Sequence, residues 1–263
     1  MQKYLDYMII AVKEQIVYKG AFVAKLFSKI VYLYLQLSIW NALFSTGSQI
    51  DSALSREETI CYVTVATIIS SFMECNTIEW VNNQIRTGNI WIELIRPIRY
   101  RVMLFSRHLG SSILKLALFT LPLCVIVKVF VKEVYLCDAQ IVLGLVSVVF
   151  AFFIQFLYSL LIGLLAFWLI VTWPINMFLD AIYKLLSGMW IPVTLFPTFL
   201  KKVSMFLPFS AIYSIPVNTL TSSMSQIALL SKLGVQVVWI VILIVLNEII
   251  WIVGNRKLVV QGG

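Results

Sequence analysis

Charge is scarce in this sequence. Of its 263 residues 12% are Asp, Glu, Lys or Arg and 61% are hydrophobic, with a mean hydropathy of +0.95. Soluble domains carry about 25% charged residues, so the bilayer is the expected solvent. Histidine is almost missing, His108 being alone. Cys61, Cys75, Cys124 and Cys137 form no C-x-x-C pair and no metal spacing with His108. No metal site is expected, and the thiols read as small apolar filler. A Cys61–Cys137 disulfide stays open as an alternative, both residues falling near the outer surface in the topology below. There is no G-x-x-x-x-G-K-[ST] phosphate loop, no H-E-x-x-H and no G-x-S-x-G. No catalytic residue and no cofactor in this chain are therefore expected. A cleavable signal peptide is not expected either, because Lys3, Asp6, Lys13, Glu14 and Lys19 interrupt the first twenty residues. The net charge of +8 does not point to nucleic acid, since apolar runs of membrane-spanning length separate the basic residues.

What is present is a set of long apolar runs. A span needs about 20 mainly apolar residues, and six are expected, at 22–44, 59–80, 110–131, 139–168, 172–190 and 233–254. Lys25 and Lys29 must snorkel to one interface. No charged residue occurs between Asp138 and Asp180, a run about twice the length of one span, so the chain must turn inside it. The turn is expected at "VTWPIN", where Thr172 can cap and Pro174 suits a first helical turn. With the N-terminus inside, Lys3, Lys13, Lys19, Lys25, Lys29, Arg86, Arg96, Arg99, Arg101, Arg107, Lys115, Arg256 and Lys257 all fall on the inner side. Arg56, Lys128, Lys132, Lys201, Lys202 and Lys232 fall outside. Positive residues favour the cytoplasmic side, so both termini are expected there. Trp80, Trp91, Trp173 and Trp251 near inner ends, and Trp40 and Trp190 near outer ones, fit an aromatic belt.

Two segments break this pattern. In residues 1–20, Leu5, Met8, Ile9, Val12 and Ile16 form an apolar stripe, with Asp6, Lys13 and Glu14 off it. That spacing predicts an amphipathic helix at the inner interface; a cytoplasmic extension of the first span is the alternative. In residues 191–232, Pro192, Pro197, Pro208 and Pro216 punctuate apolar stretches. Short re-entrant helices are expected there, since broken backbone at membrane depth must be buried in protein or face a water-filled cavity.

Two groups of residues stand out as sites. The inner loop, 81–109, gathers Arg96, Arg99, Arg101 and Arg107 around Pro97, alternating with Ile90, Trp91, Leu94, Ile95 and Ile98. Positive-inside topology alone accounts for arginines here. A short helix broken by Pro97 also suits docking, with Arg96, Arg99 and Arg101 offering donor forks to a partner and Glu93 an acceptor. The second group is Asp180 and Lys184, four apart on one helical face inside the fifth span. Ionisable groups at that depth are costly. A mutually neutralised pair at a helix contact and a role on a substrate path or subunit interface are both open readings.

The inner stretch "RTGNIWIELIRPI", Arg86 to Ile98, resembles the cytoplasmic G-x-(4–6)-L-L-R-P loop of the permease subunits of type-2 ATP-binding-cassette (ABC) exporters. The stretch from Phe167 to Pro216 resembles that family's second signature, G-x-x-I-P-x-x-x-F-P followed by L-P-F and a final proline. Gly188, Ile191, Pro192, Phe196, Pro197, Leu207, Pro208, Phe209 and Pro216 match it in order. The resemblance implies one transmembrane permease domain over 1–263, with residues 1–20 as an interface helix resting on an ATPase. Arg86, Gly88, Glu93, Arg96, Pro97, Arg99 and Arg101 would belong to the coupling loop, and Gly188, Pro192, Phe196, Pro197, Pro208, Phe209 and Pro216 to an outer gate. It further implies ATP and Mg on a separate ATPase subunit in two copies, and a second permease chain, identical or related. The location implied is the bacterial plasma membrane, amid lipid. Asp180 and Lys184 stand outside the family pattern. The path, rich in Phe, Trp and Tyr, suits a hydrophobic or amphipathic substrate such as a peptide, lipid or drug. An ion-gradient-driven secondary transporter is the alternative, although no internal repeat of the kind such carriers show is evident. A membrane-embedded enzyme lacks the residues it would need.

Overall fold

A computed structural model of the chain describes residues 2–16, 19–45, 54–74, 76–169 and 173–261, and every regular element among them is helical. In chain order these are α1 (Gln2–Ile16), α2 (Lys19–Ser45), α3 (Arg56–Met73), α4 (Thr77–Arg86), α5 (Ile90–Ile95) and α6 (Tyr100–Lys115). There follow α7 (Leu121–Phe130), α8 (Ile141–Leu164), α9 (Trp173–Leu186), α10 (Thr198–Phe206), α11 (Ser214–Thr221) and α12 (Gln226–Gln261). The expected cap at Thr172, the centre of the first outer loop and Cys75 lie outside the described residues.

Three stretches are long and apolar enough to cross a membrane: Tyr100–Phe130, Asp138–Phe167 and Gln226–Arg256. A fourth arises if Thr198–Phe206 and Pro208–Thr221, bent by 73° at Leu207, count as one broken span. The three correspond to the third, fourth and sixth expected spans. Helices α2, α3 and α9 occupy the positions expected of the first, second and fifth without meeting that test among the described residues. Helix α3 opens on Arg56, Glu57 and Glu58, and α9 has 14 residues.

The boundaries of α3 have local causes. Ser55 caps it, its hydroxyl accepting from the Glu58 N–H at 3.2 Å while the Glu58 carboxylate accepts from the Ser55 N–H at 2.7 Å. The expected 59–80 span breaks after Met73, where Glu74 leaves helical backbone geometry. Two lysines from other helices meet that break: Lys29 pairs with the Glu74 carboxylate, and Lys115 Nζ donates to the Glu74 carbonyl at 2.5 Å. Lys115 thus satisfies a carbonyl at the helix end, and Lys29 neutralises the Glu74 carboxylate. The expected 81–109 loop is itself mostly helical, containing the end of α4, all of α5 and much of α6.

The junction of α6 and α7 is widened by one residue over Leu116–Thr120, so that the Leu121 N–H reaches the Leu116 carbonyl. Pro122 follows immediately. It cannot donate to Leu118, and its ring crowds that carbonyl; the wider turn absorbs both effects without breaking the span.

Helix α8 is the central pillar, packed by α12, α4 and α11. Tyr62, Ala66 and Met73 of α3 share a buried core with Ile154, Tyr158 and Ile162 of α8 and with Tyr213 and Val217. Within it Gln236 of α12 is completely buried and satisfied: it donates to the Ser147 and Ala211 carbonyls at 3.1 and 2.8 Å and accepts from the Ser147 hydroxyl at 2.9 Å. One amide thus ties α12 to α8 and to the bent α10–α11 region. Trp40 is buried against Phe44 rather than exposed at an interface. Cys61 and Cys137 are both free, which corrects the disulfide alternative; Cys61 Sγ instead donates to the Tyr135 carbonyl at 3.2 Å.

Candidate functional site

The arginine-rich loop is built around a short helix. Gly88 turns the chain at φ +73°, a conformation that favours glycine, and α5 runs from Ile90 until Arg96 becomes extended ahead of Pro97. Ile90 is fully buried and anchors α5 in a cluster with Val81, Tyr100 and Leu104. Ile92 and Ile95, three apart on the opposite face, are 56% and 82% exposed.

The arginines divide by partner. Arg96 Nη1 donates to the Tyr7 hydroxyl at 2.6 Å and to Glu93 at 3.2 Å. The Tyr7 hydroxyl and then Glu93 hold its guanidinium further above its ordinary range, so it stays cationic. Arg101 pairs with Glu248 of α12, and Arg107 pairs with Glu14 at 2.5 Å while lying over the Trp80 ring, 5.1 Å from its centroid. The Arg99 N–H donates to the Tyr4 hydroxyl at 3.2 Å, and its side chain is exposed, as is that of Arg86 at the end of α4. Much of the guanidinium capacity expected to face a partner is therefore used within the chain. Glu93, expected as an acceptor for a partner, already serves Arg96.

Those bonds make α1 part of the same unit. Tyr4, Tyr7 and Glu14 reach Arg99, Arg96 and Arg107, and Gln15 donates to the Ser111 hydroxyl. Gly110 permits the fit: a Cβ there would collide with the Met8 carbonyl. Residues 2–16 of the expected segment are helical, with Ala11 buried on the packed side. Its amphipathic spacing was legible; the tyrosines that clamp it to the loop were not, because Tyr4 and Tyr7 resemble interface anchors in sequence.

The second site lies between the break after α3, the middle of α8, and α9. It is a cavity of about 220 Å³ reached by Asp180, Lys184, Asn176, Gln155, Tyr158 and Tyr183. Asp180 and Lys184 form the expected i, i+4 pair at 2.6 Å, with side chains 48% and 35% exposed, so the pair opens to one side of the protein. Gln155 Oε1 and the Tyr158 hydroxyl are buried and have no hydrogen-bond partner among the described residues. The Tyr158 and Tyr183 rings stack at 5.4 Å and Phe209 closes on both edge-on. Sequence reading found Asp180 and Lys184 but missed Gln155 and Tyr158. Their signal was a polar residue within an uncharged apolar run, "FFIQFLY".

The expected outer-gate residues lie around the turn after α9 and in the bent α10–α11 region, which adjoins the cavity through Phe209. Gly188 turns the chain after α9 at φ +84°; its carbonyl accepts from the Tyr62 hydroxyl at 2.9 Å. The Ser214 N–H bonds the Ser187 carbonyl at 3.0 Å and the Ser204 hydroxyl bonds that of Leu186 at 2.6 Å, closing the bent region onto the end of α9. Pro192, Phe196, Pro208, Phe209 and Pro216 are buried here, whereas Pro197, which opens α10, is exposed. The coupling-loop residues are a separate group, brought together with α1 and α6 rather than with Asp180.

A family model described as an ABC-2 family transporter protein matches residues 30–262. No curated protein matches the chain. The matched stretch contains the loop, the cavity and the bent region; α1 precedes it.

Proposed function

The chain belongs to the ABC-2 family of transporters, and on that premise we propose that it is one permease half of an ATP-driven exporter. Family membership makes it a membrane component of an ABC transporter, a transport subunit and not itself a catalyst. In our reading the six spans are α2, α3, α6 with α7, α8, α9 and α12. Both termini lie in the cytoplasm of a bacterial cell, α1 lies along the inner interface, and residues 191–232 re-enter the outer leaflet. ATP and Mg are held by two copies of a separate ATPase subunit.

The observation that carries this reading is α5, buried through Ile90, presenting Ile92 and Ile95 outward, and tied to α1. An exposed apolar pair on a short rigid helix, rimmed by Arg86 and Arg99, suits a groove on a soluble partner. Movement of that partner would displace α5 and α1 together, since Arg96–Tyr7 and Arg99–Tyr4 join them. Through Glu14–Arg107 and the Met8–Gly110 approach it would reach α6, the start of the 31-residue stretch Tyr100–Phe130. Such a link transmits work only if the two nucleotide states of the ATPase hold α5 differently.

A second permease chain, identical or related, would cover exposed apolar residues of α2 (Phe27, Tyr34) and the exposed apolar stripe of α9 (Met177, Phe178, Leu185). Asp180 and Lys184 open beside the α9 stripe, which supports a path or subunit contact over a sealed ion pair. The small polar cavity among aromatic rings suits the polar end of a hydrophobic or amphipathic substrate such as a peptide, lipid or drug. Arg96→Glu and Pro97→Ala test the coupling role. Each is expected to abolish transport while the protein reaches the membrane at its normal level; normal transport by both would show that the loop does not couple.

A further inference from the structure

A second, larger concavity borders the arginine-rich loop, between the start of α6, the middle of α8 and the latter half of α12. Its volume is about 640 Å³, within the range of about 300–1,000 Å³ that encloses a small ligand or one chain of a larger one. Phe105, Phe153, Phe156, Ile240 and Ile244 form its walls. Phe105 stacks on Phe153 at 5.1 Å and meets Phe156 edge-on at 5.1 Å, so this side is rigid. All five belong to the three stretches long and apolar enough to cross a membrane. The residues flanking them, Val102, Val149, Val241 and Val245, are exposed. The concavity therefore opens to hydrocarbon.

One end is not apolar. Arg99 and Arg101 stand at the mouth beside the stacked Tyr100 and Trp251 rings, whose centroids are 5.2 Å apart. Glu248 neutralises Arg101, while the exposed Arg99 side chain makes no ion pair among the described residues. The mouth thus has one uncompensated positive charge. Below it Asn247, 1% exposed, donates through Nδ2 to the Leu157 and Leu243 carbonyls at 2.9 and 2.8 Å. Its Oδ1 is buried and has no partner among the described residues.

We propose that this groove is a binding site for one anionic phospholipid. One acyl chain lies against Phe105, Phe153 and Ile244, and the phosphate faces Arg99. Basic pockets between membrane helices favour anionic headgroups in this way. A soluble phosphate would leave the apolar walls uncovered, and a zwitterionic lipid would leave Arg99 without a net counter-charge. The groove shares Leu94 and Arg99 with the α5 loop but does not require that loop to dock a partner.

The test is native mass spectrometry of delipidated full-length protein titrated with phosphatidylglycerol and, separately, phosphatidylcholine of the same chains. One tightly retained phosphatidylglycerol per chain is expected, preferred over phosphatidylcholine. Arg99→Ala should weaken the phosphatidylglycerol adduct about fivefold and leave phosphatidylcholine unchanged, as expected for one arginine near an anionic lipid. Ile244→Trp, which fills the groove from a partly exposed position, should weaken both. Equal retention of the two lipids, or a phosphatidylglycerol adduct indifferent to both variants, would overturn the site. A change in oligomeric mass with Ile244→Trp, without loss of lipid, would equally overturn it by making the groove a protein contact.

Discussion

Replacing Gly188 by alanine should be among the most damaging single-methyl additions in this protein. At φ +84° a residue with a Cβ sits in the left-handed region, at a cost of about 1–2 kcal/mol. The new Cβ would also lie 2.6 Å from the Tyr62 hydroxyl, 3.0 Å from a Val193 methyl and 3.2 Å from the Ser214 Cβ. Tyr62 is buried, so its ring cannot swing into solvent; it must shift and surrender its bond to the Gly188 carbonyl. A buried carbonyl left without its donor costs about 1–3 kcal/mol. Bonds between membrane helices average nearer 0.6 kcal/mol, which favours the lower end. The sum for Gly188→Ala is about 2–4 kcal/mol. Tyr62→Phe alone removes only the bond, about 1 kcal/mol. In the Tyr62→Phe background the closest colliding atom is absent, so Gly188→Ala should then cost roughly 1 kcal/mol less than in wild type. Denaturant unfolding of all four proteins in mixed micelles measures this cycle. Full additivity would refute the clash, and a neutral Gly188→Ala would refute the strained turn as well.

Other outcomes follow from the same contacts. Gln236→Leu strands the Ser147 hydroxyl and two carbonyls, and should lower stability by about 1–2 kcal/mol in the same unfolding assay. Asp180→Asn should cost the fold less than about 1 kcal/mol, because the pair is half exposed. If Asp180 lies on the substrate path, its effect on transport will exceed that stability change; proportional losses would return the pair to a purely structural role. Gly110→Leu should push α1 from α6 and speed proteolysis within residues 2–16, whereas wild-type rates would mean the Met8 approach is not maintained.

Much of this fold was legible because apolar run length is a strong signal in a chain so poor in charge. Three of the six expected runs form helices long and apolar enough to cross a membrane, and the pair Thr198–Phe206 and Pro208–Thr221 is bent by 73°. Helix ends were less legible. The break at Glu74 depends on Lys29 and Lys115, residues distant in sequence whose pairing no local pattern encodes. The 81–109 loop is more helical than expected because Ile90 and Leu104 have a shared core to enter. At the sites, Asp180 and Lys184 were readable as an i, i+4 pair. The capture of Arg96, Arg101 and Arg107 by Tyr7, Glu248 and Glu14 was not, since it follows from how α1 and α12 pack. Gln155, Gln236 and Asn247 were visible only as isolated amides in apolar runs, a weaker mark than a charge.

The most direct measurement is purification of the tagged chain from its native membrane in mild detergent, with co-purifying proteins identified by mass. An ABC ATPase is expected to accompany the wild-type chain and to be lost from an Ile92→Asp, Ile95→Asp variant that still reaches the membrane. A chain that purifies without any such ATPase, or an ATPase retained equally by the variant, would contradict docking through α5.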